Sequence, residues 1–235
     1  MKRFWEQVAI EPVEAEWRVL LDARPLHIPG GAELRLPRRD LAEAIAAEWQ
    51  AAGGGQGGET SFADLPLTRI AGTAQVRIQP DPEPVALALA RYAESDLLCY
   101  RAAEPPALRA RQAAAWQPWL DWAAARFAAP LQVTEGIMYV AQPAESLAAL
   151  AAAVAAQPAF GLAALGVAVP ALGSLVLGLA LAEGALLPAD AHVLATLDET
   201  FQEELWGEDA EAVARRRRIG EEVAVAGRLL AMLRA

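Results

Sequence analysis

From Ala159 to Ala182 the chain runs twenty-four residues without a charge, and any fold it adopts must keep that run from water. By length the run matches a bilayer span. Its punctuation argues otherwise: Pro170 stands in the middle, Gly161, Gly166, Gly173 and Gly178 interrupt it, and it has neither a basic flank nor an aromatic belt. Gln157-Pro158 and Val169-Pro170 read as two helix starts rather than one span. The expectation is a pair of short helices, apolar all round because they lie in a large core, with small residues allowing close approach. No stable membrane insertion follows. The alternative is a membrane-associated helical protein that uses 159–182.

A core of that kind needs material, and 235 residues at 55% hydrophobic provide it for one large domain or two small ones. The net charge of −10 argues against nucleic acid, whose phosphates would repel it, and no groove-reading motif is present. Cys99 is the one cysteine, which excludes an internal disulfide and fits a reducing compartment. Met1-Lys-Arg-Phe-Trp is followed by Glu11, Glu14 and Glu16 rather than an apolar run, so it reads as neither a secretory signal nor a transit peptide. A cytoplasmic location is expected.

Two textures divide the chain. Val8-Ala-Ile10, Trp17 to Leu21, Leu26-His-Ile28 and Leu34-Arg-Leu36 are short apolar segments separated by the turn formers Asp22-Ala-Arg-Pro25 and Pro29-Gly-Gly31. They predict a small antiparallel meander. A helix carrying Leu41, Ile45 and Trp49 follows and ends at Gly53-Gly-Gly-Gln-Gly-Gly58, read as a mobile connector because no Gly-Lys-Ser/Thr makes it a phosphate loop. The predicted division is therefore a β-rich domain over 1–58 and a mainly α-helical domain over 59–235, an α+β chain.

Beyond the connector, Leu67, Ile70, Ala71, Ala74 and Ile78 make one amphipathic set and Pro84 to Tyr92 another. Asp96 to Arg101 and Gly136 to Val140 are short apolar runs with strand character, which length alone does not separate from buried helix ends. Between them a helix pair broken near Pro118 carries Trp116, Trp119 and Trp122 at core spacing. From Pro143 onward helices continue with breaks at Pro158, Pro170, Pro188 and Gly207. The last carries Val223, Ala226, Leu230 and Leu233 on one side, and its Arg215 to Arg218 pair with acids such as Glu211 four residues away.

Catalytic equipment is thin. His27 and His192 sit in no recognisable signature, no nucleophile elbow or His-Glu-x-x-His is present, and no His/Cys cluster has zinc spacing. Cys99 stands among Leu97, Leu98 and Tyr100, surroundings that make a thiol inert. No catalytic residue, metal or cofactor is expected, and the chain does not read as an enzyme. A small-molecule enzyme with a pocket near Tyr92, Asp96, Tyr100 and Trp119 is the remaining catalytic alternative.

The stretch Asp198-Glu-Thr-Phe-Gln-Glu-Glu-Leu-Trp-Gly-Glu-Asp209 bears most directly on function. At about 100° per residue, Leu194, Leu197, Phe201 and Leu205 share a core face, while Glu199, Gln202, Glu203 and Trp206 fall opposite. An exposed Trp among acids is a frequent protein-binding arrangement, the ring supplying area and the rim selectivity. Glu199, Gln202, Glu203, Trp206, Glu208 and Asp209 are accordingly the candidate partner-binding residues. The alternative packs Trp206 under the next helix and leaves the acids as solvated surface.

Phe4-Trp5, Leu21-Asp-Ala-Arg-Pro-Leu26, Ala47-Glu-Trp49, Leu65-Pro-Leu-Thr-Arg-Ile-Ala71, Asp96-Leu-Leu-Cys-Tyr-Arg-Ala102, Leu120-Asp-Trp122, Gly173-Ser-Leu-Val176 and Asp198 to Asp209 occur in this order. Together they closely resemble the ATP synthase F1-sector assembly chaperones that act on the α subunit, found in mitochondria and some bacteria. The resemblance covers nearly the whole chain. It implies a small N-terminal β-rich domain and a larger helical one. It also implies a non-enzymatic task, holding a free F1 α subunit until the β subunit replaces the chaperone. The chain departs from the family at Gly72, where Asn is usual, and at Gln75, where an acid is frequent. A bacterial, cytoplasmic, monomeric member is the expectation. A rival contact patch is the Arg24-Pro-Leu26 turn with the N-terminal sheet edge, which could pair with a strand of the client.

Overall fold

Val8–Val13 (β1) and Glu16–Leu21 (β2) pair antiparallel with Val8 opposite Leu21 and Val13 opposite Glu16, and Arg24–Pro25 (β3) adds to the free edge of β2. Asp22 and Ala23 both take positive φ, 47° and 66°, as the tight two-residue hairpin between β2 and β3 requires. The Asp22 carboxylate accepts the backbone N–H groups of Glu6 and Gln7, which hold it below the usual carboxylate range. The ladder continues through single bridges, His27 to Glu33 and Trp17 to Leu36. The meander predicted from the spacing of apolar segments is thus present in this computed structural model, which describes residues 1–234.

Two compact units make up the chain. One comprises Met1–Pro82 with Pro158–Ala164 and the chain end from Arg228; the other comprises Glu83–Gln157 and Leu165–Gly227. In the first, Arg39–Ala51 (α1) packs against β1 and β2 and buries Leu41, Ile45 and Trp49, as β2 buries Val19 and Leu21. Pro66–Thr73 (α2) follows and runs into a π turn over Ala74–Ile78. The glycine tract is a closed loop rather than a spacer. Gly53 and Gly57 have positive φ, Arg3 N–H donates to Gly58 O, Gly57 N–H donates to Arg3 O, and a Cβ on Gly58 would lie 1.7 Å from the Gly53 oxygen. Glycine is needed there for close backbone approach, not for slack.

The second unit is helical. Glu83–Ala90 (α3) packs against Ala144–Ala155 (α5), and Pro106–Phe127 (α4) lies between them in sequence. Pro118 sits inside α4 without dividing it: a proline removes one N–H and strains one turn, which tertiary packing offsets. Tyr100–Arg101 (β4) pairs with Thr134–Glu135 (β5), parallel. The strand character expected at 136–140 is not realised. Ile137 is 96% exposed, and Met138 and Tyr139 are exposed with it.

The uncharged run forms two helices, Ala159–Leu172 (α6) and Leu175–Glu183 (α7), as its glycines and prolines predict. The break falls at Gly173, not Pro170. Gly173 has φ 63°, which ends α6, and the Ser174 hydroxyl accepts the Leu177 N–H to begin α7. Gly178 brings the two close, since a Cβ there would meet Val169 at 2.5 Å. Pro188–Ala195 (α8), Leu197–Trp206 (α9) and Ala210–Arg234 (α10) complete the chain. Among the described residues no helix is long and apolar enough to cross a membrane.

Candidate partner-binding site

α9 is held on one side by α4. Leu197 and Phe201 are buried, the Arg111 guanidinium stacks over the Phe201 ring, and it forks onto both oxygens of Glu204 at 2.7 and 2.8 Å. That fork keeps the Glu204 carboxyl below its usual range. Gln112 donates to Asp198 at 2.7 Å, and the Trp116 indole donates to the carbonyl of Leu194 at 2.9 Å, just before the helix begins. Arg101, 4% exposed, stacks on Trp116 with both terminal nitrogens lacking a hydrogen-bond partner; burial lowers its pKa, and the charge of Asp198 opposes that. From α10, Arg216 reaches Glu203 at 2.7 Å.

These contacts sort the six candidate residues. Glu203 is committed to Arg216, and Asp209 accepts the Glu211 N–H to start α10. Glu199, Gln202 and Glu208 make no ion pair or side-chain hydrogen bond among the described residues. Trp206 is 78% exposed, so it does not pack under the following helix. Leu205, expected in the core, is 57% exposed beside it. The helix stops at Gly207, whose φ is 90°, before a further turn could bring anything over either side chain. The nearness of Gly207 was the available signal that the core stripe ends at Phe201. The candidate site is therefore an exposed apolar pair, Leu205 and Trp206, at the end of a clamped acidic helix.

Burial pushes the Cys99 thiol up to about 12. His27 lies exposed with Nδ1 on Gly31 O, and His192 packs against Gly220 with Nε2 on Arg216 O. Among the described residues no cluster of His, Cys, Asp and Glu suits a metal ion. Asp96, proposed for a pocket, is fully buried and occupied: its oxygens accept the N–H groups of Leu98 and Val176.

The motif residues behave alike in the first unit. Glu48 accepts Leu67 N–H at 2.7 Å and Thr68 N–H at 3.0 Å, and the Trp49 indole donates to the Thr68 hydroxyl at 3.0 Å. The Trp5 indole donates to the Trp49 carbonyl, and Arg3 donates to Gln50 and Ala52 oxygens at the end of α1. At the two departures, a Cβ on Gly72 would make ordinary contact with Ile28, and Gln75 bridges the backbone, accepting from Arg35 N–H and donating to Glu33 O at 2.8 Å each. An acid at 75 would lose the donor.

The family model described as ATP12 chaperone protein matches residues 2–124. The crystal structure of Atp12 from Paracoccus denitrificans is similar over 98% of this chain and 97% of its own, at 42% identity and a TM-score of 0.91. A candidate chaperone from Agrobacterium tumefaciens is 39% identical with a TM-score of 0.91, over 99% of this chain and 86% of its own. With more than half of the chain matched by the family model and both relatives well above chance identity, the chain belongs to the ATP12 chaperone family.

Proposed function

We propose that this protein is an assembly chaperone for the F1 sector of ATP synthase, acting without catalysis or cofactor as a cytoplasmic monomer. It binds the unassembled F1 α subunit and shields the surface that the β subunit later takes. The observation that carries the reading is the exposed Leu205–Trp206 pair on a helix fixed by Arg111, Gln112 and Arg216. A rigid aromatic anchor loses little conformational freedom on binding. Glu199, Gln202 and Glu208 form a rim that speeds encounter and rejects mismatched partners more than it adds affinity. Moderate affinity suits the task, because a client held too tightly is not handed over. Purification of the tagged chain from its own cells tests this: the F1 α subunit is enriched over the β subunit, and an α-free eluate contradicts the reading.

A further inference from the structure

α2 and the π turn after it contribute Arg69, Gly72, Thr73, Val76 and Arg77 to a groove that Ile28, Pro29 and Phe62 also line. The hollow encloses about 450 Å³. A second hollow of about 540 Å³ is lined by Phe4, Leu21, Arg24 and Leu26 among others. Both hollows share Ile28, Pro29 and Phe62, so they form one trough within the first unit. Gly72 and Ile28 both line the first hollow, and a Cβ on Gly72 would lie 3.5 Å from Ile28.

The arginines of the unit differ in their partners. Arg18, Arg35, Arg38 and Arg39 each meet a carboxylate. Arg24, Arg69 and Arg77, all exposed, make no ion pair or side-chain hydrogen bond among the described residues. Arg24 has the Asp22 carboxylate nearby, so a chain of net charge −10 places two arginines without an acidic partner among the described residues, Arg69 and Arg77, along an apolar hollow. Hydrophobic floor and guanidinium rim together select apolar side chains flanked by carboxylates and repel basic segments.

We propose that this trough binds an extended client segment in which apolar residues are flanked by Asp or Glu. The interaction is independent of the α9 contact and holds whichever subunit α9 captures. The test is an array of short peptides with apolar pairs flanked by acidic, neutral or basic residues, probed with the full-length protein. The acidic-flanked set binds best. Arg69→Glu/Arg77→Glu lowers that binding about tenfold or more and removes the preference for acids. Gly72→Leu blocks the trough sterically and lowers binding of every set, while both variants melt with the wild type. Equal binding of acidic- and basic-flanked peptides, or unchanged binding by both variants, overturns the proposal. Self-association of the wild type that the variants abolish also overturns it, by giving the trough to a second copy of the chain. Failure of the wild type to capture the α subunit, with the peptide result intact, counts against the α9 reading alone.

Discussion

Asp96 and the end of α9 both belong to the motifs that carry the family resemblance, yet the structure treats them in opposite ways. Asp96 is buried with both oxygens on backbone N–H groups, joining the turn at Leu98 to the start of α7. Glu48 plays the same part in the first unit, joining α1 to the start of α2. At the end of α9, Leu205 and Trp206 are exposed, and Glu199 and Glu208 have no ion pair or side-chain hydrogen bond among the described residues. A motif carboxylate that satisfies a helix N-terminus specifies the fold. A motif tryptophan left 78% exposed does no comparable work for the fold, and the proposed function gives it to the client.

The largest expected effect breaks the buried side of this contrast. Asp96→Ala leaves two buried N–H groups without acceptors and costs about 3 kcal/mol of stability, read by chemical unfolding. The same carboxyl sets a pH signature. Burial raises it from 3.8 to about 6, so between those values the native state binds more protons than the unfolded one. Its contribution to stability is present below pH 3.8 and is lost as pH rises to about 6. Comparison of wild type with Asp96→Asn across that interval shows the decline in the wild type and not in the variant. Glu48→Ala comes next at about 1 kcal/mol, because its cap is nearer to water, which replaces part of the lost bonding. The smallest stability effects belong to Glu199→Arg and Glu208→Arg. Each leaves unfolding within about 0.5 kcal/mol of wild type and slows association with the α subunit severalfold at low salt, an effect that fades as salt is added.

Much of the fold was legible because local rules agreed with the packing. Turn formers at Asp22 and Gly30 separated the meander segments, and period-3.6 spacing located α1. The glycines of the uncharged run placed two helices there, a consequence of needing close approach at Gly178 and a left-handed residue at Gly173. The errors arose where tertiary structure decides. Pro118 and Pro170 lie within helices because one missing N–H is cheaper than ending a packed helix. The glycine tract reads as slack, but the strand that closes it is the distant N-terminus, with Arg3 bonding to Gly57 and Gly58. Residues 137–139 resemble a strand by composition, yet the short β5 before them ends the pairing. Within the site, periodicity placed Trp206 outward. It also placed Leu205 inward, because a helical wheel has no end, whereas α9 stops one residue later. The commitment of Glu203 to Arg216 joins two helices across a turn and leaves no trace in either one's spacing.

The most direct test of the account is capture of purified, unassembled F1 α subunit by wild type and by Trp206→Ala, with chemical unfolding of both proteins measured alongside. The account predicts that Trp206→Ala unfolds as the wild type does while its affinity for the α subunit falls by about thirtyfold, the size of a hot-spot truncation. Capture by Trp206→Ala at wild-type affinity would contradict it.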